Sequence, residues 1–198
     1  MKSRQVGPAT PKGAFTLIEL LVVIAIIAVL ASLILGVSGY VQEKAGNSRA
    51  EAEIHALSLA LESYKQDNGT YPEGIPTGDL FNDKSTQKLM DALNPVGGAP
   101  NDVNPTGKIY FEIPPKMFND YSSKKTADDV RKNAEYLVDP FGNPYHYFFK
   151  ADDAAAGTAA ENPVTHSQNN GPQFFDLWSY GKNPQKNQNT PATWIKNW

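Results

Sequence analysis

Glu19 is the only charged side chain between Phe15 and Val41, a stretch in which every residue from Leu20 to Ala31 is apolar. A carboxylate at the edge of an apolar helix costs free energy on insertion and usually marks a pairing with a cation. The plainer alternative, an interfacial carboxylate that reaches water, stays open on this residue alone. Other candidates for chemistry are weaker. His55, His146 and His166 are far apart; His55 falls on the polar side of a helical pattern and His146 in a strand-like run, so no metal or acid–base cluster is expected of them. Asp152–Asp153 and Asp128–Asp129 read as solvated loop and helix-start charges rather than paired catalytic carboxylates. Asn68-Gly69-Thr70 fits a glycosylation sequon, and a helix-capping role explains it without modification. With no cysteine, disulfides, thiol chemistry and cysteine-ligated zinc are excluded. The expectation is a protein that is not an enzyme.

Residues that precede and follow Glu19 define the elements around it. Met1 to Ala14 carry Lys2, Arg4 and Lys12 and no acidic residue, which reads as a positive leader held on the cytoplasmic side of a membrane. Phe15 to Val37 is about 23 residues, roughly 35 Å of helix at ~1.5 Å per residue, enough for a hydrocarbon core of ~30 Å. A secretory signal peptide is the rival. There, small residues follow the apolar region; here Gly13 and Ala14 precede it, and Ala31-Ser32-Leu33 leaves the alternative open. Beyond Gly36 and Gly39, the expected weak point, Ala50, Ile54, Leu57, Leu61 and Tyr64 recur at helical spacing. The helix therefore becomes amphipathic, with Glu43, Lys44, Arg49, Glu51 and Glu62 mostly off its apolar face. Asn68-Gly69 supplies a left-handed C-cap and Pro72 prevents resumption. One helix from Phe15 to Asp67, roughly 80 Å long, is predicted.

The rest of the chain mixes short elements with long turns. Ser85 to Asn94 reads as a short helix burying Leu89, Met90 and Leu93; Thr126 to Tyr136 as a capped helix; Ile109 to Ile113 as a half-buried strand. Tyr145 to Phe149 and Phe174 to Ser179 read as neighbouring antiparallel strands, with Ala151 to Gly171 an exposed loop between them. The chain has 198 residues, 18 basic against 21 acidic, a formal net charge of -3, and no basic stripe, so nucleic acid is not an expected partner. Length and composition fit one moderate domain with an appended segment.

The junction Lys12-Gly13-Ala14-Phe15-Thr16-Leu17-Ile18-Glu19-Leu20-Leu21 resembles the prepilin signal of type IV pilins and type II secretion pseudopilins. The resemblance implies that a membrane aspartyl peptidase removes residues 1–14 on the cytoplasmic side and that the new terminus is N-methylated. With the glutamate fifth in the mature chain, cleavage falls between Ala14 and Phe15 and methylation on Phe15; a cut after Gly13 would shift Glu19 by one place. The freed α-amine of Phe15 would then be the cation for which Glu19 is suited, within the subunit or on a neighbour in a filament. Residues 15–38 become a transmembrane and polymerisation helix, and residues 39–198 an amphipathic helix with a globular domain.

Asn68-Gly69-Thr70-Tyr71-Pro72, Asp139-Pro140-Phe141-Gly142-Asn143-Pro144-Tyr145-His146-Tyr147, Asp176-Leu177-Trp178-Ser179-Tyr180-Gly181 and Ile195-Lys196-Asn197-Trp198 are similar to segments of the major pseudopilin of type II secretion. About residues 74–133 lie outside the resemblance and read as an insertion. The implied fold is α+β and pilin-like: a long N-terminal helix, transmembrane and then amphipathic, packed on a small antiparallel sheet. The implied function is a pseudopilus subunit supporting protein export. A type IV pilus pilin, major or minor, and a monomeric membrane-tethered domain that binds a ligand or DNA are the alternatives. Implied partners are copies of the chain, minor pseudopilins, the prepilin peptidase and methyltransferase, an inner-membrane platform with a cytoplasmic ATPase, and the bilayer. Implied localisation is single-pass in a bacterial inner membrane, with the C-terminal domain in the periplasm. The family holds calcium in the tail through aspartates and backbone oxygens. At the matching positions this chain has Asn183, Ala192 and Trp194, leaving Ser179 and Asn183 as possible side-chain ligands. Calcium takes six to eight oxygens, with carboxylates setting affinity. The expectation is a chain without a cofactor, in which packing of Trp194 and Trp198 does the metal's work.

Overall fold

A computed structural model describes residues 15–75, 79–121, 126–149 and 174–198. The leader, the loop expected at 151–171, Asp152, Asp153 and His166 lie outside them. The chain divides into two compact units, residues 1–42 and 43–198. Helix α1 (Leu17–Asn68) supplies the first unit's regular structure. The weakness expected at Gly36 and Gly39 produces no break, since both are helical and the ladder of backbone bonds does not need a Cβ.

In the second unit the stripe read from the sequence is the buried one: Ala50, Ile54, Leu57, Leu61 and Tyr64 are all within 4% of full burial. The helix stops at Gly69, whose φ of +81° is left-handed and whose N–H donates to the Lys65 carbonyl (2.8 Å). That is the αL C-cap, which satisfies an otherwise orphaned carbonyl. The Asn68 side-chain amide donates to the Tyr64 carbonyl (2.9 Å) and the Tyr110 hydroxyl (3.1 Å), so the sequon's nitrogen is used structurally. Four tyrosine hydroxyls fasten this part of α1: Tyr64 donates to the Val103 carbonyl, Tyr71 to Glu62, Tyr110 to Asp67 and Tyr145 to Glu53.

Short helices α2 (Gln87–Leu93) and α3 (Ala127–Asn133) follow, with 3₁₀ turns at Val96–Gly98 and Pro115–Met117. Leu89, Met90 and Leu93 are fully buried, as their spacing predicted. Thr126 caps α3 by accepting the Asp129 N–H, but the helix ends at Asn133 rather than Tyr136 because Ala134 turns extended. Asp129 is thus a helix-start charge, its carboxylate accepting from the Thr126 hydroxyl (2.7 Å). The strand expected at Ile109 to Ile113 is not formed. The Leu93 carbonyl captures both the Tyr110 and Phe111 N–H groups (2.9 and 3.2 Å), leaving no ladder, and Pro114–Pro115 end the run.

Strands β1 (His146–Phe148), β2 (Asp176–Ser179) and β3 (Ile195–Lys196) form one antiparallel sheet in that order. Tyr147 pairs with Leu177 and Trp178 with Lys196. Alternation along β2 divides the apolar side chains between two clusters. Leu177, with Tyr147 and Ile195, joins the α1 stripe, while Trp178 joins Tyr180, Trp194 and Trp198 in a second cluster. The two-residue strand β3 was not read from the sequence.

Candidate functional site

At the start of α1, three hydrogen bonds lock Thr16 and Glu19 together. The Thr16 N–H and hydroxyl both donate to Glu19 Oε2 (2.8 Å each), and the Glu19 N–H points back at the Thr16 hydroxyl oxygen (3.3 Å). This is a capping box, which satisfies donors that the first helical turn cannot pair internally. Its sequence signal, a threonine three residues ahead of a glutamate in Thr16-Leu17-Ile18-Glu19, lies at the start of the apolar run. Phe15 is 84% exposed beside it, and Gly13 and Ala14 lie outside the described residues. Among the described residues, the large apolar side chains from Leu17 to Ile34 are 48–81% exposed. The helix is long and apolar enough to cross a membrane.

In the second unit the tail positions are organised around Asp139. Its carboxylate accepts from the Phe141 and Asn143 N–H groups (2.9 Å each) and from the Ser179 hydroxyl (2.5 Å). Burial pushes the Asp139 carboxyl up to about 6; the three hydrogen bonds pull the other way, and nearby Glu53 adds to the rise. Ser179 is fully buried and also accepts the Gly181 N–H (2.8 Å), so its oxygen is turned into the fold. Asn183 is exposed ahead of the short helix α4 (Pro184–Asn187), and Ala192 is exposed as well. Of the two side chains singled out as possible calcium ligands, Ser179 is thus buried and bonded within the fold and Asn183 is exposed. Among the described residues no three His, Cys, Asp or Glu side chains gather as a metal would require.

His55 is exposed on α1, whereas His146 is buried and paired through Nδ1 with the fully buried Asp83. The imidazole stacks on Trp178 (5.4 Å, 21°) and tilts against Tyr180 (4.6 Å). Asp83 also accepts the Ser85 N–H (2.8 Å), and Ser85 in turn accepts the Tyr147 N–H (2.9 Å). This network joins residues 83–85 to β1 and is structural in character. Its partners stand more than 60 residues apart in the chain, and no local pattern announces them.

Residues 10–35 match the family of the prokaryotic N-terminal methylation motif. The type II secretion system core protein G of Pseudomonas aeruginosa is 30% identical over 187 residues, covering 94% of this chain and 95% of the relative. The protein of that name from Aeromonas hydrophila is 32% identical over 135 residues, 68% of this chain and 71% of the relative. That of Escherichia coli K12 is 50% identical over 58 residues, 29% of this chain and 40% of the relative. No solved structure matches. An apolar helix with a motif-matched start and a near full-length similarity to such a relative lead to one conclusion: the chain belongs to the family of type II secretion system core protein G.

Proposed function

We propose that the protein is a structural subunit of a type II secretion pseudopilus, cleaved between Ala14 and Phe15, N-methylated on Phe15 and polymerised through α1. Residues 15–38 anchor it in the inner membrane and residues 39–198 stand on the periplasmic side. Copies of itself, minor pseudopilins, the peptidase and methyltransferase, and an ATPase-driven membrane platform are its partners. The observation that supports this reading is the exposed apolar face of α1 behind the Thr16–Glu19 box. In lipid, contact between apolar helices has no hydrophobic drive of its own and does not fix register. A charged pair does. Once the leader is removed, the Phe15 amine of an incoming subunit needs a counter-charge in a low-dielectric bundle, where an unpaired charge is strongly disfavoured.

The capping box makes the experiment selective. Glu19→Gln keeps an oxygen to accept from Thr16 and removes only the charge, whereas Glu19→Ala removes both. Both variants should insert and lose the leader, because the helix becomes more apolar. Both should fail to form filaments, read by crosslinking between introduced cysteines on adjacent subunits and by imaging sheared filaments. Wild-type filament levels from Glu19→Gln would defeat the pairing, whereas absence of filaments from the wild type itself would favour a tethered monomer.

A further inference from the structure

We propose that the connection between β2 and β3 is held closed by an indole clasp and folds without calcium. Trp194 follows the 3₁₀ turn Pro191–Thr193 and is buried, its ring stacked on Trp178 (5.9 Å, 15°) with Tyr180 against it edge-on (5.1 Å, 78°). Its Nε1–H donates to the Asn187 carbonyl (2.7 Å), and the Asn187 side-chain amide donates to the Tyr180 carbonyl (2.7 Å). One residue at the end of α4 thereby ties the beginning of the connection to its end. Gly181, left-handed at φ +69°, completes the closure: its N–H donates to Ser179 and its carbonyl accepts from the Asn143 amide (2.8 Å).

Those same bonds are why the residues do not fit the cation that the family resemblance implies. The carbonyls of Tyr180, Gly181 and Asn187 in this connection each accept from a protein donor. From Leu177 to Trp198 the chain has no Asp or Glu, and Lys182 and Lys186 are charged groups of the wrong sign inside the connection. A divalent ion would have to compete with these donors beside two ammonium groups, Lys182 paired with Glu43 (3.2 Å), in a connection that brings no carboxylate of its own. Stacked indoles close the loop instead. This inference rests on the geometry of the connection and stands whether or not the filament reading does.

The test uses the full chain in detergent. Trp178, Trp194 and Trp198 are the chain's three tryptophans, so intrinsic emission reports on this cluster, and Lys182 and Lys186 offer trypsin two sites inside the connection. Stripping divalent cations with excess chelator should leave emission, melting temperature and cleavage at those lysines unchanged. Trp194→Ala should accelerate cleavage there by roughly tenfold, following the population of the opened loop. Asn187→Ala removes the tie without a large cavity and should act in the same direction, so the inference remains testable if Trp194→Ala fails to fold. It is overturned if chelation lowers the wild-type melting temperature by more than about 5 °C or speeds cleavage at Lys182 or Lys186. It is equally overturned if Asn187→Ala is cut as slowly as the wild type.

Discussion

Asp139 carries a consequence that no local reading of Asp139-Pro140-Phe141 conveys, because its cause is burial under β2 rather than sequence. A carboxyl whose folded-state value rises from the ordinary 3.8 to about 6 binds its proton more readily folded than unfolded. The stabilisation this gives is complete below about pH 4 and is lost as pH rises through about 6; at neutral pH the buried charge costs of the order of 2–3 kcal/mol. The melting temperature should therefore climb by several degrees between pH 7 and pH 5. Asp139→Asn keeps an oxygen for the Phe141 and Asn143 N–H groups and can donate to Ser179. It should flatten that pH dependence while retaining the fold, as calorimetry across the range would register. The apolar surroundings of Glu19 single it out in the sequence, and the junction motif around it suggests its role. Its bond to Thr16 is carried by the three-residue spacing of a capping box, a signal the sequence also contains.

At the scale of elements, helical periodicity was the reliable signal. The α1 stripe follows from intervals of three and four and the two longer strands from aromatic, β-prone runs between turn residues, whereas β3, only Ile195–Lys196, is too short for either signal. The Ile109–Ile113 expectation failed for a physical reason, since alternation describes a strand only where a partner backbone is available. Two glycines separate conformational from packing constraints. At Gly69 a Cβ would meet nothing within 4 Å, so Gly69→Ala should cost only the left-handed backbone penalty, about 1–2 kcal/mol, or a few degrees of melting temperature. At Gly74, bridged to Phe149, a Cβ would run into the buried Tyr147 ring and stand 2.7 Å from the Ser85 carbonyl. Gly74→Ala should cost about 1–3 kcal/mol through overpacking and should perturb Tyr147 in near-ultraviolet circular dichroism, which Gly69→Ala should not.

For the molecule as a whole, residues 74–133 are the part that sequence reasoning understood least. They are not an appendage: Leu89, Met90, Ile113, Met117, Phe118 and Val130 lie in the same core cluster as the α1 stripe. Side chains that pack across such separations leave little trace in local patterns, so the segment read as an insertion of unknown purpose. For the leader, the sequence carries the expectation by itself. Intact-mass measurement on membrane-extracted protein should find residues 1–14 absent and one methyl group added; retention of Met1 to Ala14, or a start near Ser32, would overturn the processing scheme. The tyrosine fastenings of α1 have a mechanical consequence. A secretion filament pushed or pulled along its axis passes force through its helices, and each globular part must ride with its own shaft. Hydroxyls from Tyr145, Tyr71 and Tyr110 bond α1 carboxylates between Glu53 and Asp67, and α1's own Tyr64 donates to the Val103 carbonyl, beside an apolar stripe that runs the same way. Because the attachments are spread along α1 from Glu53 to Asp67 rather than gathered at one residue, load on the shaft is divided among them.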